Sequence, residues 1–265
     1  MKNLQTPKQS KLHHDFKVTQ GDIFLLGDHI LYSSDSRDPD MFRRLLRDGQ
    51  KIHLLLTDPP YWIDYVESKK GFTGTTEKFE DIPQDGIQSD REYAEFTRDW
   101  ITPMLPYFAE KNASYIFNAD KMKFALRDWM LQAGMRFTQL LIWVKDSAII
   151  GRLDYLPQHE LIAYGWYGKH AFYGWKAKSI LPFARTRKNT IHPTTKPVPL
   201  LRELILNSSK RWDTVYDPFG GSGSTLMACE QTSRKCVTVE INPVYCRAII
   251  KRWEDYTGKT AEKIT

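Results

Sequence analysis

The sequence predicts an α/β fold, a mainly parallel sheet with helices on both faces, and three observations carry that expectation. Short runs of β-branched and aliphatic residues alternate with longer stretches of helical apolar spacing, the pattern left by crossover connections between parallel strands. At 265 residues the chain can bury one large sheet. No repeat at a period of roughly 20–50 residues points instead to a solenoid or propeller.

Strands are expected at 52–57, 114–118, 137–144, 160–163, 214–216 and 236–239, and helices at 91–108, 121–132, 198–208, 224–232 and 243–256. Two stretches break this rhythm. Residues 62–90 carry Lys69, Lys70, Gly71 and Gly74; residues 165–191 interleave Lys169, Lys176, Lys178, Arg185, Arg187 and Lys188 with Trp166, Phe172, Trp175 and Phe183. Long irregular segments inside a compact domain are functional loops or insertions. The expected organisation is a polar tail over 1–20 and a single domain over 21–265, with loop insertions at 62–90 and 165–191.

Lys and Arg number 38 against 32 Asp and Glu, a formal charge of +6 that favours a polyanionic partner without demanding one. Cys229, Cys236 and Cys246 lack CxxC spacing and a clustered histidine, so they read as reduced core thiols of a cytoplasmic protein. No metal site is expected; His13 and His14 stand in a polar tail without a carboxylate or thiol nearby. No stretch reaches the roughly 18 apolar residues of a membrane span, and none is expected.

Leu54, Leu55 and Leu56 form a buried-strand run that ends in Thr57 and is followed at once by Asp58, Pro59, Pro60 and Tyr61. A carboxylate is thus expected at the carboxyl end of a strand, the edge where open α/β sheets keep their sites. The two prolines stiffen the turn and remove backbone donors, leaving carbonyls only. Such an acceptor array suits an exocyclic amino group: accepting its two N–H bonds encourages the nitrogen to pyramidalise and expose its lone pair. Asp58 and the Pro59 carbonyl could do this together while Tyr61 stacks on an extruded base. A rigid turn with a packed tyrosine remains the alternative for the tetrapeptide alone.

The second constellation runs Asp217, Pro218, Phe219, Gly220, Gly221, Ser222, Gly223, Ser224, Thr225, between a short strand and a helix. Glycines there let backbone approach a ligand, and free N–H groups at a helix start attract anionic groups. The next strand ends in Glu240, which could accept from both hydroxyls of a ribose. Leu226 stands where a dinucleotide fingerprint needs its third glycine, and no GxxxxGK[ST] element exists. Asp217 would repel a pyrophosphate and suits a cationic nucleoside, and S-adenosylmethionine carries an ammonium and a sulfonium.

These elements, with His192, Pro193, Thr194, Thr195, Lys196 and Pro197 between them, resemble the amino-DNA methyltransferases of the β arrangement, in which the catalytic motif precedes the cofactor motif. The resemblance implies a Rossmann-like methyltransferase sheet in circularly permuted order and S-adenosylmethionine as cofactor. It implies Asp58, Pro59, Pro60 and Tyr61 as the catalytic tetrad. It assigns Asp35, Thr194, Lys196, Asp217, Phe219, Gly221, Gly223, Ser224 and Glu240 to the cofactor, Asp35 near the adenine, Glu240 at the ribose, and Thr194 and Lys196 by the methionine moiety. Gly220 replaces a more usual alanine, and Ser34 stands where glycine is common before Asp35.

Double-stranded DNA is then the expected substrate, with Lys69, Lys70, Lys178, Arg185, Arg187 and Lys188 as DNA-facing cations. The region 165–191 is short for a separate recognition domain, so a short recognition sequence or relaxed specificity is expected. Aspartate at 58 tilts the target to N6 of adenine, since cytosine N4 members of the family more often carry serine there. N4 of cytosine, RNA, a catalytically idle DNA-binding subunit and a dinucleotide-dependent oxidoreductase are the rival readings. The resemblance leaves room for a homodimer and for a cognate restriction endonuclease as partner. Trp143, Lys145, Asp146, His159 and Glu160 read as strand ends with structural roles.

Overall fold

A computed structural model describes residues 17–46, 49–60, 90–148, 154–186 and 195–264. Among these residues eleven strands join in one sheet: β1 (Ile23–Leu26), β2 (His29–Ser33), β3 (Ile52–Thr57), β4 (Phe108–Asn118), β5 (Met135–Val144), β6 (His159–Tyr167), β7 (Lys169–His170), β8 (Ile180–Pro182), β9 (Thr214–Asp217), β10 (Lys235–Glu240) and β11 (Glu262–Lys263). Their order is β11-β1-β2-β10-β9-β3-β4-β6-β5-β8, with β7 paired to β4. The centre, β2 through β4, is parallel; β1, β11 and β6 add antiparallel pairs.

Among the described residues six α-helices cover the sheet: α1 (Met41–Leu45), α2 (Asp90–Ile101), α3 (Lys123–Gln132), α4 (Val198–Ser208), α5 (Ser224–Thr232) and α6 (Pro243–Thr257). Apolar residues along the strands alternate between two cores, as the two-residue period of a strand requires. Leu54 and Leu56 face one core with Leu200, Leu204, Met227, Ile249 and Trp253 of α4, α5 and α6. Leu55 faces the other, with Phe42, Tyr93, Trp100, Leu126 and Met130 of α1, α2 and α3. No helix among the described residues is long and apolar enough to cross a membrane.

Connections from β3 lead outward to β4, and those from β9 lead the opposite way to β10, so strand order reverses between β3 and β9. Neighbouring crossovers diverge at such a point and leave a crevice outside the carboxyl ends of the two strands. Asp58 follows β3 there and Asp217 ends β9.

The structure corrects several expectations. The helix expected over 91–108 ends at Ile101, because Pro103 and Pro106 fall in a following 3₁₀ turn, Thr102–Tyr107. The hairpin β1–β2, turning at Gly27 (φ +61), stands before the first strand expected. Val18, assigned to the polar tail, is buried. Residues 165–186 are not one irregular insertion: β6 continues through Tyr167, and β7 and β8 add to the sheet. The remaining residues of the two insertions, 62–89 and 187–191, lie outside the described residues.

Gly165 sits in β6 opposite a register shift between Phe137 and Gln139 of β5. A Cβ there would lie 1.8 Å from the Arg136 carbonyl oxygen, so the two strands meet this closely only around glycine. Gly165→Ala is expected to lower stability by about 1–3 kcal/mol, the usual cost of overpacking. Chemical denaturation checks this; an unchanged midpoint would contradict it.

Candidate active site

The leucines preceding Asp58 are fully buried and Thr57 is nearly so, which anchors the tip of β3. Thr57 Oγ1 donates to Asp217 Oδ1 at 2.8 Å, tying together the tips that flank the crevice. Asp58 itself is 24% exposed, and Lys196 Nζ donates to its Oδ2. The same ammonium reaches Glu160 Oε2 at 3.1 Å, and Glu160 Oε1 receives Lys145 Nζ at 2.8 Å. Four charges of alternating sign thus run from β3 through the start of α4 to β6 and the end of β5.

Both lysines are about 5% exposed, Lys196 6% and Lys145 5%. Their ammonium groups lie over aromatic rings, with Lys196 Nζ 5.1 Å from the Phe117 centroid and Lys145 Nζ 5.3 Å from that of Trp143. Burial by itself would push the Lys196 ammonium down; Asp58 and Glu160 more than reverse this, and its pKa lies above the ordinary lysine value. Burial likewise works to raise Glu160, but Lys196 and Lys145 outweigh it and hold its carboxyl below the usual range.

The glycine-rich loop descends onto β10. Gly220 N donates to the Val239 carbonyl at 2.8 Å, and a Cβ on Gly220 would lie 2.6 Å from Thr238 Oγ1. Gly223 caps α5 at φ +75, a left-handed conformation suited to glycine. Glu240 knits the loop to the next connection, accepting from Gly221 N at 2.7 Å and Asn242 N at 2.8 Å. Phe219 packs against Phe96 and Trp100. Ser224 Oγ lies 3.2 Å from Arg252 Nη1.

Asp217 is buried inside the turn, where it also accepts from Phe219 N at 3.1 Å. Burial pushes its carboxyl up to about 7, against the lowering effect of Thr225, Thr57 and Phe219 N and with a further push from Asp58. Glu240 is raised to about 7 by burial as well, despite its two backbone donors. Asp35 follows β2 at the same edge, where Ser34 N donates to the Glu240 carbonyl at 3.1 Å. Arg37 grips it through Nε at 3.0 Å and Nη2 at 2.5 Å, more than offsetting burial and holding the Asp35 carboxyl below its usual range.

The fold therefore gathers Asp35, Asp58, Pro59, Pro60, Lys196, Asp217, Phe219, Gly221, Gly223, Ser224 and Glu240 along one edge of the sheet. Tyr61, Lys69, Lys70, Arg187, Lys188 and Thr194 lie outside the described residues. The expected DNA-facing cations separate. Arg185 stays at the strand tips, its N–H on Asp146 Oδ1 at 2.9 Å. Lys178 lies back along the sheet, lining a cavity of about 270 Å³ with Tyr115, Tyr164, Trp166 and Lys176. Asn118, at the tip of β4, buries an Nδ2 with no hydrogen-bond partner among the described residues. Lys145 and Glu160, which the sequence offered as strand ends, belong to the site. Their signal was a lysine just past one apolar strand and an acid just inside the next, which only the antiparallel β5–β6 pairing brings together.

A family model described as DNA methylase (N6_N4_Mtase) matches residues 52–252, from the first residue of β3 into α6. The chain belongs to this family. Among curated relatives of this DNA methylase, the type II methyltransferase M.HpaI of Haemophilus parainfluenzae is 26% identical over 227 residues, 75% of this chain and 67% of that protein. Among solved structures, the M1.HpyAVI–SAM complex aligns with a TM-score of 0.62 at 21% identity, covering 84% of this chain and 98% of that one. The cytosine-N4-specific PvuII DNA methyltransferase aligns with a TM-score of 0.63 at 14% identity, over 85% and 89%. At these identities the solved structures speak to fold, and the Rossmann-like sheet is theirs and this methylase's alike.

Asp217 and Glu240 titrate near 7 in the folded chain, against 3.8 and 4.5 for unperturbed groups. A carboxyl whose folded pKa is raised contributes stability below its unfolded pKa and loses it as pH climbs through the folded value. The ligand-free methylase is therefore expected to lose melting temperature from about pH 5 to about pH 8, and Glu240→Gln should flatten that slope. A melting temperature that rises over the interval would contradict this.

Proposed function

We propose that this methylase transfers the methyl group of S-adenosylmethionine to N6 of adenine in double-stranded DNA, with the target base extruded to the crevice between β3 and β9. The observation that carries the reading is the carboxylate of Asp58 at the strand tip, ion-paired with the buried ammonium of Lys196. A charged carboxylate only accepts hydrogen bonds, which is what a donor amino group needs. A carboxylate has several lone-pair sites on its two oxygens, so in this reading Asp58 accepts one amino N–H and the Pro59 carbonyl accepts the other. Asp58 orients the amino nitrogen in this reading, with its carboxylate direction set by the Lys196 ion pair.

The residues present fit the cofactor. Asp58 and Glu240 stand at the strand tips that border the crevice, and burial raises Glu240, an environment that a cationic ligand relieves. Glu240 stands at the tip of β10 in position for ribose hydroxyls, with Asp35 beside it at the tip of β2 for the adenine end. Gly221, Gly223 and Ser224 bring backbone close at the start of α5. M1.HpyAVI, which shares the fold, was solved with SAM. When bound, S-adenosylmethionine supplies a methyl group already activated on a sulfonium. The chain's own contribution is positioning and charge placement.

Adenine is favoured by aspartate at 58. N4 of cytosine is the second reading, since the cytosine-N4-specific PvuII enzyme shares the fold and the same acceptors serve either amino group. Arg185 at the strand tips, together with Lys69, Lys70, Arg187 and Lys188, would meet DNA phosphates, whereas Lys178 lies farther from the crevice.

Incubation with S-adenosylmethionine and unmethylated duplex DNA, followed by nucleoside analysis, is expected to yield N6-methyladenine. Asp58→Ala should lower kcat by about 10²–10³-fold while leaving the cofactor Kd within about threefold. N4-methylcytosine as product would replace the adenine reading, and no transfer by a wild type that binds the cofactor would overturn the enzymatic one.

A further inference from the structure

Lys196 is buried against Asp58, yet it would not hold that carboxylate reliably alone. A lone lysine has four rotatable stem bonds and a strongly hydrated head, so its direction must be set by what surrounds it. Here the second carboxylate, Glu160 Oε2 at 3.1 Å, faces it from β6, and the ring of Phe117 lies under it. Glu160 is itself fixed by Lys145 at 2.8 Å. Lys145 is locked in turn: its backbone exchanges hydrogen bonds with Gln158, whose carbonyl accepts from Lys145 N at 2.8 Å and whose Nε2 donates to the Lys145 carbonyl at 3.1 Å. Trp143, beneath Lys145, is anchored by its indole N–H on the Phe183 carbonyl at 2.8 Å.

We propose that Glu160 and Lys145 are positioning residues of the methyl transfer: acting through Lys196, they aim and keep charged the Asp58 carboxylate that receives the target amino group. The inference rests on the proposed role of Asp58. Its physical content is charge balance along a row of four. Glu160 lies between two buried ammonium groups; neutralise it, and Lys145 repels Lys196 with nothing between them, so Lys196 shifts and Asp58 loses its aim. Neutralise Lys145 as well, and the Asp58–Lys196 pair stands balanced again. Removing the outer pair together should therefore harm less than removing Glu160 alone, an outcome that a packing role for Glu160 would not give. Buried ion pairs behave this way generally: breaking one partner is costly, whereas replacing both by apolar or neutral groups can be nearly neutral.

The test compares wild type, Glu160→Gln, Lys145→Met, the double variant and Glu160→Asp for kcat, cofactor Kd and melting temperature. Glu160→Gln is expected to lower kcat by about 10–100-fold with cofactor Kd changed by less than about threefold, and Lys145→Met/Glu160→Gln to recover to within about fivefold of wild type. Glu160→Asp, which keeps the charge, should retain most of the activity and serves if Glu160→Gln does not fold. A wild-type rate in Glu160→Gln, a double variant at least as slow as Glu160→Gln, or Glu160→Asp as inactive as a folded Glu160→Gln would overturn the proposal. An inactive wild type would instead overturn the role assigned to Asp58, so the two failures are separable.

Discussion

A lysine ammonium only 6% exposed can stay charged at the strand tips because two carboxylates face it from different strands. Withdrawn from water without partners, it would deprotonate; paired with Asp58 and Glu160, its pKa rises instead. The same pairing keeps the carboxylates charged, and Lys145 completes the balance. Such a row contributes little net stability, because desolvation offsets most of the Coulombic gain. What it supplies is a defined direction: it links β3, β6, the end of β5 and the start of α4, and it leaves a carboxylate held at the rim of the crevice.

That crevice follows from topology. Strand order reverses between β3 and β9, so neighbouring crossovers diverge there and the crevice lies outside the ends of those two strands, beside Thr57 and Asp217. The Thr57–Asp217 hydrogen bond keeps the two tips in register, and Glu240 binds the glycine loop to the connection after β10. The result is a concentration of acid at one edge. Two of these carboxyls are raised towards neutrality by burial: Asp217, which holds its own turn, and Glu240, which ties the glycine loop to the next connection.

Much of this was legible in the sequence where signals are local. The helices at 198–208 and 224–232 and the strand at 52–57 match the structure residue for residue, because Pro199, Gly223 and the Leu54–Leu56 run mark them directly. Asp58 and Glu240 were legible as acids at strand ends. What depends on pairing was not. Residues 165–186 look like an insertion because glycine, aromatics and lysines interrupt the alternation, yet Gly165 is there to admit the Arg136 carbonyl and β8 is held by β5. Lys145 and Glu160 look like strand caps until the antiparallel β5–β6 pair brings them together. Lys196 was assigned to the methionine moiety and Asp217 to the cofactor loop; the contacts of Lys196 with Asp58 and Glu160, and of Asp217 with Thr57 and Phe219 N, join residues too distant in the chain or too dependent on the turn to be read beforehand.

The most direct test of the central claim, that Lys196 presents a charged Asp58 to the target amino group, is a crystal structure with a non-transferable cofactor analogue and a DNA duplex. The expected result has the exocyclic nitrogen of an extruded base within hydrogen-bond reach of both the Asp58 carboxylate and the Pro59 carbonyl, with Lys196 still on Asp58 and Glu160. A complex in which Lys196 leaves Asp58 for the cofactor, or in which the amino nitrogen is held by other residues, would contradict it.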